Sequence, residues 1–243
     1  MTKAVTLNNV DHKDLKIDTR YCAEYGNNVN RALVFTSEFG ELQREYPILF
    51  HKDPETENCQ AHVLLGLERD ENLFLNDNGW QARYIPAVMA RGPFMIGFQK
   101  QGGDSDAQPE PVIHIEMDNP RVGVESGEPV FLPYGGDAPY LEKVSKALQV
   151  IHSGAKYDKT FFSILNELEL LEPVNIEINL SNIEQISLSN YYTINDEKLS
   201  ALNPEQLAKL HSLGCLKLAY LALSSLGNIP SLIDMKNKKS AIV

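Results

Sequence analysis

The chain has 243 residues, 43% of them apolar, and 22 Lys+Arg against 33 Asp+Glu give it a net charge of −11. The apolar share supports a sizeable core and excludes wholesale disorder, and the length suffices for one large domain. The negative charge repels phosphate backbones and excludes nucleic acid as an expected partner.

The N-terminal stretch MTKAVTLNNVDHKDLKID contains no apolar segment of signal-peptide length. The first element is an apolar, β-branched strand over 31–37. A short helix over 36–46 follows: Thr36 or Ser37 caps it, Glu38 and Glu41 suit its positive end, and Phe39, Leu42 and Tyr46 make its buried stripe. Pro47 ends it and opens a strand over 47–50. After the polar loop HKDPETENCQ comes an apolar run over 62–67. Asn78-Gly79 is a strong hairpin signal, with arms near 73–76 and 80–85 and Trp80 just past the turn. Strands over 93–98 and 111–117 are expected to pair around the acidic loop QGGDSDAQPE, and 128–132 closes the strand-rich part.

From residue 137 the apolar period lengthens. A helix is expected with Asp137 as cap, Pro139 in its first turn, a stripe of Leu141, Val144, Leu148 and Ile151, and a stop at Gly154. A second amphipathic helix covers 159–171, an alternating strand 174–180 and a short strand 191–195. Asn203 and Pro204 start another helix, which stops at Gly214. Residues 215–227 are apolar on most sides and read as a buried helix, followed by a helical turn or two over 229–237. Lys236, Lys238 and Lys239, the only basic cluster, read as a solvated end. Strands first and helices afterwards give an α+β class. The expected architecture is a single domain over 1–243, with a strand-rich, curved antiparallel sheet in 1–136 and the mainly helical part, 137–243, packed against it.

The stretch VIHIEMD puts His114, Glu116 and Asp118 on one face of a strand and Ile113, Ile115 and Met117 on the other. A strand rises about 3.4 Å per residue, so two neighbours could share an ion but all three could not. A second imidazole would have to come from His12, His51, His62, His152 or His211, and nothing in the sequence brings one there. The row therefore reads first as a solvated strand face. The sharper alternative makes Glu116 and His114 an acid–base pair with Arg91 as an anion clamp. Arg91, before Gly92-Pro93, reads first as a structural partner of Glu38 or Glu116. Trp80, Tyr84, Phe94 and Phe98 form either core or an aromatic pocket. There is no GxSxG, HExxH or Walker motif, and Gly-Gly at 102–103 and 135–136 lacks a dinucleotide-site context. The widely spaced Cys22, Cys59 and Cys215 make no CxxC pair or zinc pattern and read as free thiols. No metal or cofactor is expected.

The blocks EFGELQREYPILF, ENLFLNDNGWQARYIPAVMARGPFMIG, VIHIEMD and YTINDEKLSAL…LHSLGCLKLAYLALSSLGN, in this order, resemble the bacterial SapC family from VDHKDLKI almost to the end of the chain. The resemblance implies a protein of surface-layer (S-layer) loci, encoded near halogenase-like flavoproteins, cupin-like proteins and TonB-dependent receptors, with no reaction attached. His12-Lys13-Asp14-Leu15 stands at the family's HRDL, and Glu38, Phe39, Tyr46 and Pro47 at its EF…YPIVF block. Trp80, Tyr84, Pro86, Arg91, Pro93 and Phe94 match the next block, but Ala90 and Gly92 replace a frequent Arg and Tyr. Glu116 falls on the acidic position of LCIDE, where His114 is not required. Arg91, Trp80, Tyr84, Glu38 and His12 are the candidate binding residues. Three functions compete. The first is an accessory or binding module for a protein or peptide, such as a halogenase-like flavoprotein encoded nearby. The second is an enzyme acting on a peptide or small metabolite through Glu116, His114 and Arg91. The third is a structural surface-layer component, against which the lack of a signal segment weighs. The binding module is the preferred expectation, in a cytoplasmic setting with no membrane-spanning helix.

Overall fold

The computed structural model describes residues 4–53, 55–56, 58–99, 110–180 and 185–242. Its strands are β1 (Ala4–Thr6), β2 (Lys16–Ile17), β3 (Arg31–Val34), β4 (Ile48–Lys52), β5 (Cys59–Leu64), β6 (Leu75–Asn76), β7 (Gly79–Trp80), β8 (Phe94–Gln99), β9 (Glu110–Glu116), β10 (Glu128–Pro129), β11 (Leu171–Asn179) and β12 (Gln185–Ile194). Its helices are α1 (Phe39–Leu42), α2 (Ala87–Ala90), α3 (Pro139–Glu167), α4 (Asp196–Ser200), α5 (Pro204–Ser212), α6 (Cys215–Ser225) and α7 (Ile229–Ile242). The class is α+β, with antiparallel pairing throughout.

The largest sheet runs β11-β12-β4-β5-β3, and a smaller one runs β1-β9-β8. The expected hairpin of 93–98 with 111–117 is present as β8 and β9, with Phe94 opposite Ile115 and Met95 opposite His114; its acidic loop lies mostly outside the described residues. The extents of the two strands expected over 174–180 and 191–195 need correction, since both run longer and join the main sheet. These two longest strands, β11 and β12, come from the C-terminal part and complete the five-stranded sheet through Tyr192 opposite Phe50. Local alternation shows that a strand exists, but its partner is set by long-range packing.

A second correction concerns Gly154, which does not stop a helix. α3 is continuous over 29 residues. A Cβ at Gly154 would lie 2.4 Å from Phe35 Cβ, so the residue is small because a ring packs against the helix there. The length of α3 positions the rest of the fold. Leu141, Val144 and Leu148 belong to a small core with Ile17, Phe94 and Ile115. Phe161, Phe162 and Leu165 belong to the large core with Phe39, Tyr46 and Phe50. One helix is therefore the spine of both cores.

The C-terminus also differs from expectation. α6 is buried on one face only, through Cys215, Ala219, Ala222 and Ser225, while Tyr220 is 48% exposed. α7 extends well beyond a turn or two. Lys236 is 7% exposed and bonds Glu68 at 2.6 Å and Glu71 at 2.9 Å, so it is a buried ion-pair partner and not a solvated end. By length and composition alone the helical run Cys215–Ser240 is long and apolar enough to cross a bilayer, which the sequence reading did not anticipate.

Candidate functional site

Local sequence around Pro47 builds the first half of the site. The stripe Phe39, Leu42 and Tyr46 is fully buried as expected. A 3-10 turn over Thr36–Glu38 precedes α1, and Glu38 is turned inwards rather than serving a solvated helix end. Its carboxylate, 2% exposed, accepts hydrogen bonds from the Phe35 N–H at 2.9 Å, the Ala87 N–H at 2.7 Å and the Tyr84 hydroxyl at 3.0 Å. Burial pushes its pKa up, and these donors pull against that. The Tyr46 hydroxyl donates to the Tyr84 carbonyl at 2.7 Å and accepts from Trp80 Nε1 at 2.8 Å. Burial raises the pKa of both tyrosines, so each hydroxyl keeps its proton as a donor. Glu38, Tyr46, Trp80 and Tyr84 thus form one brace that fixes 80–87 against the helix before Pro47.

The second half is built by residues far apart in sequence. After β2, the chain bonds to the 121–123 segment, with the Asp18 N–H donating to the Arg121 carbonyl at 2.8 Å. This places Arg121 under the loop that follows Asp18. Its guanidinium, 5% exposed, donates to Asn27 Oδ1 at 2.7 Å and lies 5.5 Å from the Tyr21 ring centre and 4.7 Å from that of Tyr25. Among the described residues no carboxylate is within ion-pairing distance of it. Asp18 instead accepts from Arg20 Nη2 at 2.5 Å and the Tyr25 hydroxyl at 2.7 Å. The Arg20 guanidinium, joined by Tyr25, holds this carboxyl well below the usual carboxylate range. Gly26 closes the loop at φ +73°.

The two halves meet at Tyr21, whose ring packs edge-on against Trp80 at 5.7 Å. A cleft opens on either side. The first, about 740 Å³, is lined by Arg20, Tyr21, Glu24, Asn28, Asp77, Trp80 and Ile85 among others. The second, about 750 Å³, is lined by Thr19, Tyr21, Arg83, Tyr84, Ile85, Ala90, Glu128, Pro139, Tyr140 and Lys143. Tyr21 and Ile85 form the shared ridge. Burial, reinforced by Tyr21, pushes the Tyr140 hydroxyl up to about 12, so at neutral pH it is a donor in an aromatic wall. Gly92, at φ +55°, leaves room for that hydroxyl, which would be 3.0 Å from a Cβ.

Of the residues singled out from sequence, Trp80, Tyr84 and Glu38 are joined in the brace, and Trp80 and Tyr84 also line the clefts. Arg91 is not brought to them: its Nη1 donates to the Phe94 carbonyl at 2.7 Å, and among the described residues it pairs with neither Glu38 nor Glu116. His12 is held in its own turn by Asn8 at 3.2 Å. His114 and Glu116 share the half-buried face of β9, where the His114 ring lies over Gly97 and contacts Thr6 Oγ1 at 3.3 Å. Asp118 lies beyond the strand, in a turn, so the three-residue row is cut to two. Phe94 is core, while Phe98 is exposed beside His152. Among the described residues no three His, Cys, Asp or Glu side chains group as metal ligands. Sequence reasoning missed Asp18, Tyr21, Tyr25, Asn27, Arg121 and Tyr140. The aromatic and amide density of RYCAEYGNN was the available signal, but Arg121, which shapes that loop, is remote from it.

The SapC family model matches residues 7–232. No curated protein and no solved structure gives a match.

Proposed function

From the membership of this chain in the SapC family, we propose that it is a non-catalytic accessory module that binds a protein or peptide partner across the Tyr21 ridge. The observation that carries this reading is the pair of adjoining clefts of about 740 and 750 Å³, separated only by Tyr21 and Ile85. Each lies in the roughly 300–1,000 Å³ range of ligand sites. Two such spaces set side by side suit an extended chain, with side chains entering on both flanks of the ridge. Trp80, Tyr84 and Tyr140 offer large contact area at low entropy cost. The brace through Glu38 and Tyr46 fixes two of these rings in advance, which reduces the ordering cost of association.

The test is affinity capture from the native host with the wild-type chain and a Trp80→Ala variant. A halogenase-like flavoprotein encoded nearby is the first partner to look for. A stoichiometric partner held by the wild type and lost with the variant supports the reading. A host extract that yields no partner, or one held equally by the variant, removes it.

A further inference from the structure

We propose that the paired clefts select a dipolar peptide segment, whose basic end enters the first cleft and whose carboxylate end enters the second. This deepens the binding reading above and rests on it. The chain as a whole is acidic, at −11, yet the two clefts differ in sign. In the first, Glu24 and Asp77 are acidic, and the one cation, Arg20, is already committed to Asp18 at 2.5 Å. In the second, Arg83 and Lys143 face a single acid, Glu128. Among the described residues none of Glu24, Asp77, Arg83, Lys143 or Glu128 takes part in an ion pair. Their charges are therefore available to a ligand.

The geometry that keeps them apart is already built. Glu45 accepts the Arg83 main-chain N–H at 3.0 Å, which fixes that backbone where Arg83 lines the second cleft and a smaller neighbouring hollow shared with Glu41 and Glu45. Lys143 stands on the first turns of α3, the spine of both cores. The Tyr21 ridge carries no formal charge, and Arg121 beneath it is covered by two rings and an amide. A segment that is acidic throughout meets Glu24 and Asp77, and one that is basic throughout meets Arg83 and Lys143. Only a segment that changes sign across its aromatic or aliphatic middle satisfies both, because unlike charges attract and like juxtapositions are penalised.

Three N-acetylated, C-amidated decapeptides with the same aromatic centre test this. One has lysines at one end and glutamates at the other, one has glutamates at both ends, and one has lysines at both. Trp80, the only tryptophan, lines the first cleft and reports binding by fluorescence. The dipolar peptide should bind roughly tenfold tighter than either control at low salt, with the advantage shrinking as salt is added. Arg83→Glu with Lys143→Glu should move the preference to the lysine-only peptide. Glu24→Lys with Asp77→Lys should move it to the glutamate-only peptide. Equal binding of all three, or no binding of any, overturns the proposal. If a host partner is captured in a Trp80-dependent way but ignores both charge reversals, the polarity claim falls while the binding reading stands. If the wild type captures nothing, the binding reading itself falls.

Discussion

The Tyr21 ridge and the His114–Glu116 strand face both present polar side chains, yet the two large clefts described above are lined by the ridge and not by the strand face. On β9 the polar residues alternate with core residues and lie along a pleated surface, so the pattern is what any half-buried strand shows. At the ridge, polar groups are themselves buried: Glu38, Asp18, Asn27 and Arg121 are each covered and each bonded. Holding ionisable groups out of water requires several partners apiece, and those partners come from separate parts of the chain. Concavity here follows from that convergence. A row of acids and imidazoles on one strand does not supply it.

If the comparison is right, the largest effects should come from the ridge's supports. Glu38→Ala leaves the Phe35 and Ala87 N–H groups and the Tyr84 hydroxyl without their acceptor. Urea unfolding should show a loss of about 3 kcal/mol or more, since each orphaned buried donor costs about 1–3 kcal/mol. Arg121→Met should come next, at about 1–2 kcal/mol, because it takes from Asn27 Oδ1 one of its two donors, leaving the Cys22 N–H at 3.1 Å, and removes the cation between Tyr21 and Tyr25. A more specific readout accompanies it: loss of Tyr21 packing should alter Trp80 fluorescence, which a fault elsewhere in the core would leave unchanged. A ridge that keeps its stability and its Trp80 signal without Arg121 would break the comparison.

A smaller effect tests the sign of the electrostatics. The folded-state pKa of Asp18 is depressed by Arg20, so its contribution is present above the ordinary carboxylate pKa of about 3.9 and is lost as pH falls towards the folded value. In that window the unfolded chain holds a proton that the folded chain does not. Glu38 has the opposite sign: burial raises its folded pKa, so the folded chain takes up a proton first, and stability falls as pH rises from the unfolded value to the folded one. Acid unfolding of the wild type should therefore show both slopes. Asp18→Asn should flatten the one below pH ~4 and cost about 1 kcal/mol at neutral pH. Glu38→Gln should remove the other while keeping part of the brace.

The same contrast explains which features were legible in the sequence. The α1 stripe, the Asn203-Pro204 helix start and the β8–β9 pair are dictated by local periodicity and capping, and the structure has them. Trp80, Tyr84 and Glu38 could be singled out because they recur in ordered motifs, although their joint role as a brace depends on a fold no motif states. Gly154 misled because a glycine that ends a helix and one that admits a neighbouring ring look alike in sequence. Lys236 misled for a related reason: its partners Glu68 and Glu71 are remote, so a terminal lysine cluster looked solvated. The loop from Asp18 to Asn27 was unread because Arg121 shapes it, and nothing local in RYCAEYGNN announces a cation beneath the rings.

The strand face should give the smallest effects. Glu116→Ala should cost less than about 0.5 kcal/mol, as surface changes away from packed features do. His114 differs slightly, because its imidazole occupies the space that a side chain at position 97 would take: a Cβ on Gly97 would lie 2.5 Å from Nε2. Gly97→Ala therefore has to push the ring aside. The ring is half-buried, and among the described residues its hydrogen-bonding contact is Thr6 Oγ1 at 3.3 Å, so it can rotate away at a cost of about 1 kcal/mol. In a His114→Ala background that cost should vanish, and β-strand propensity should make the added methyl neutral or slightly favourable. A double-mutant cycle by urea unfolding measures the coupling. A coupling near 1 kcal/mol, with peptide binding at the Tyr21 ridge unchanged in all four proteins, would mark this face as packing and solvent surface. Loss of ridge binding in His114→Ala would instead join the two regions and remove the contrast between them.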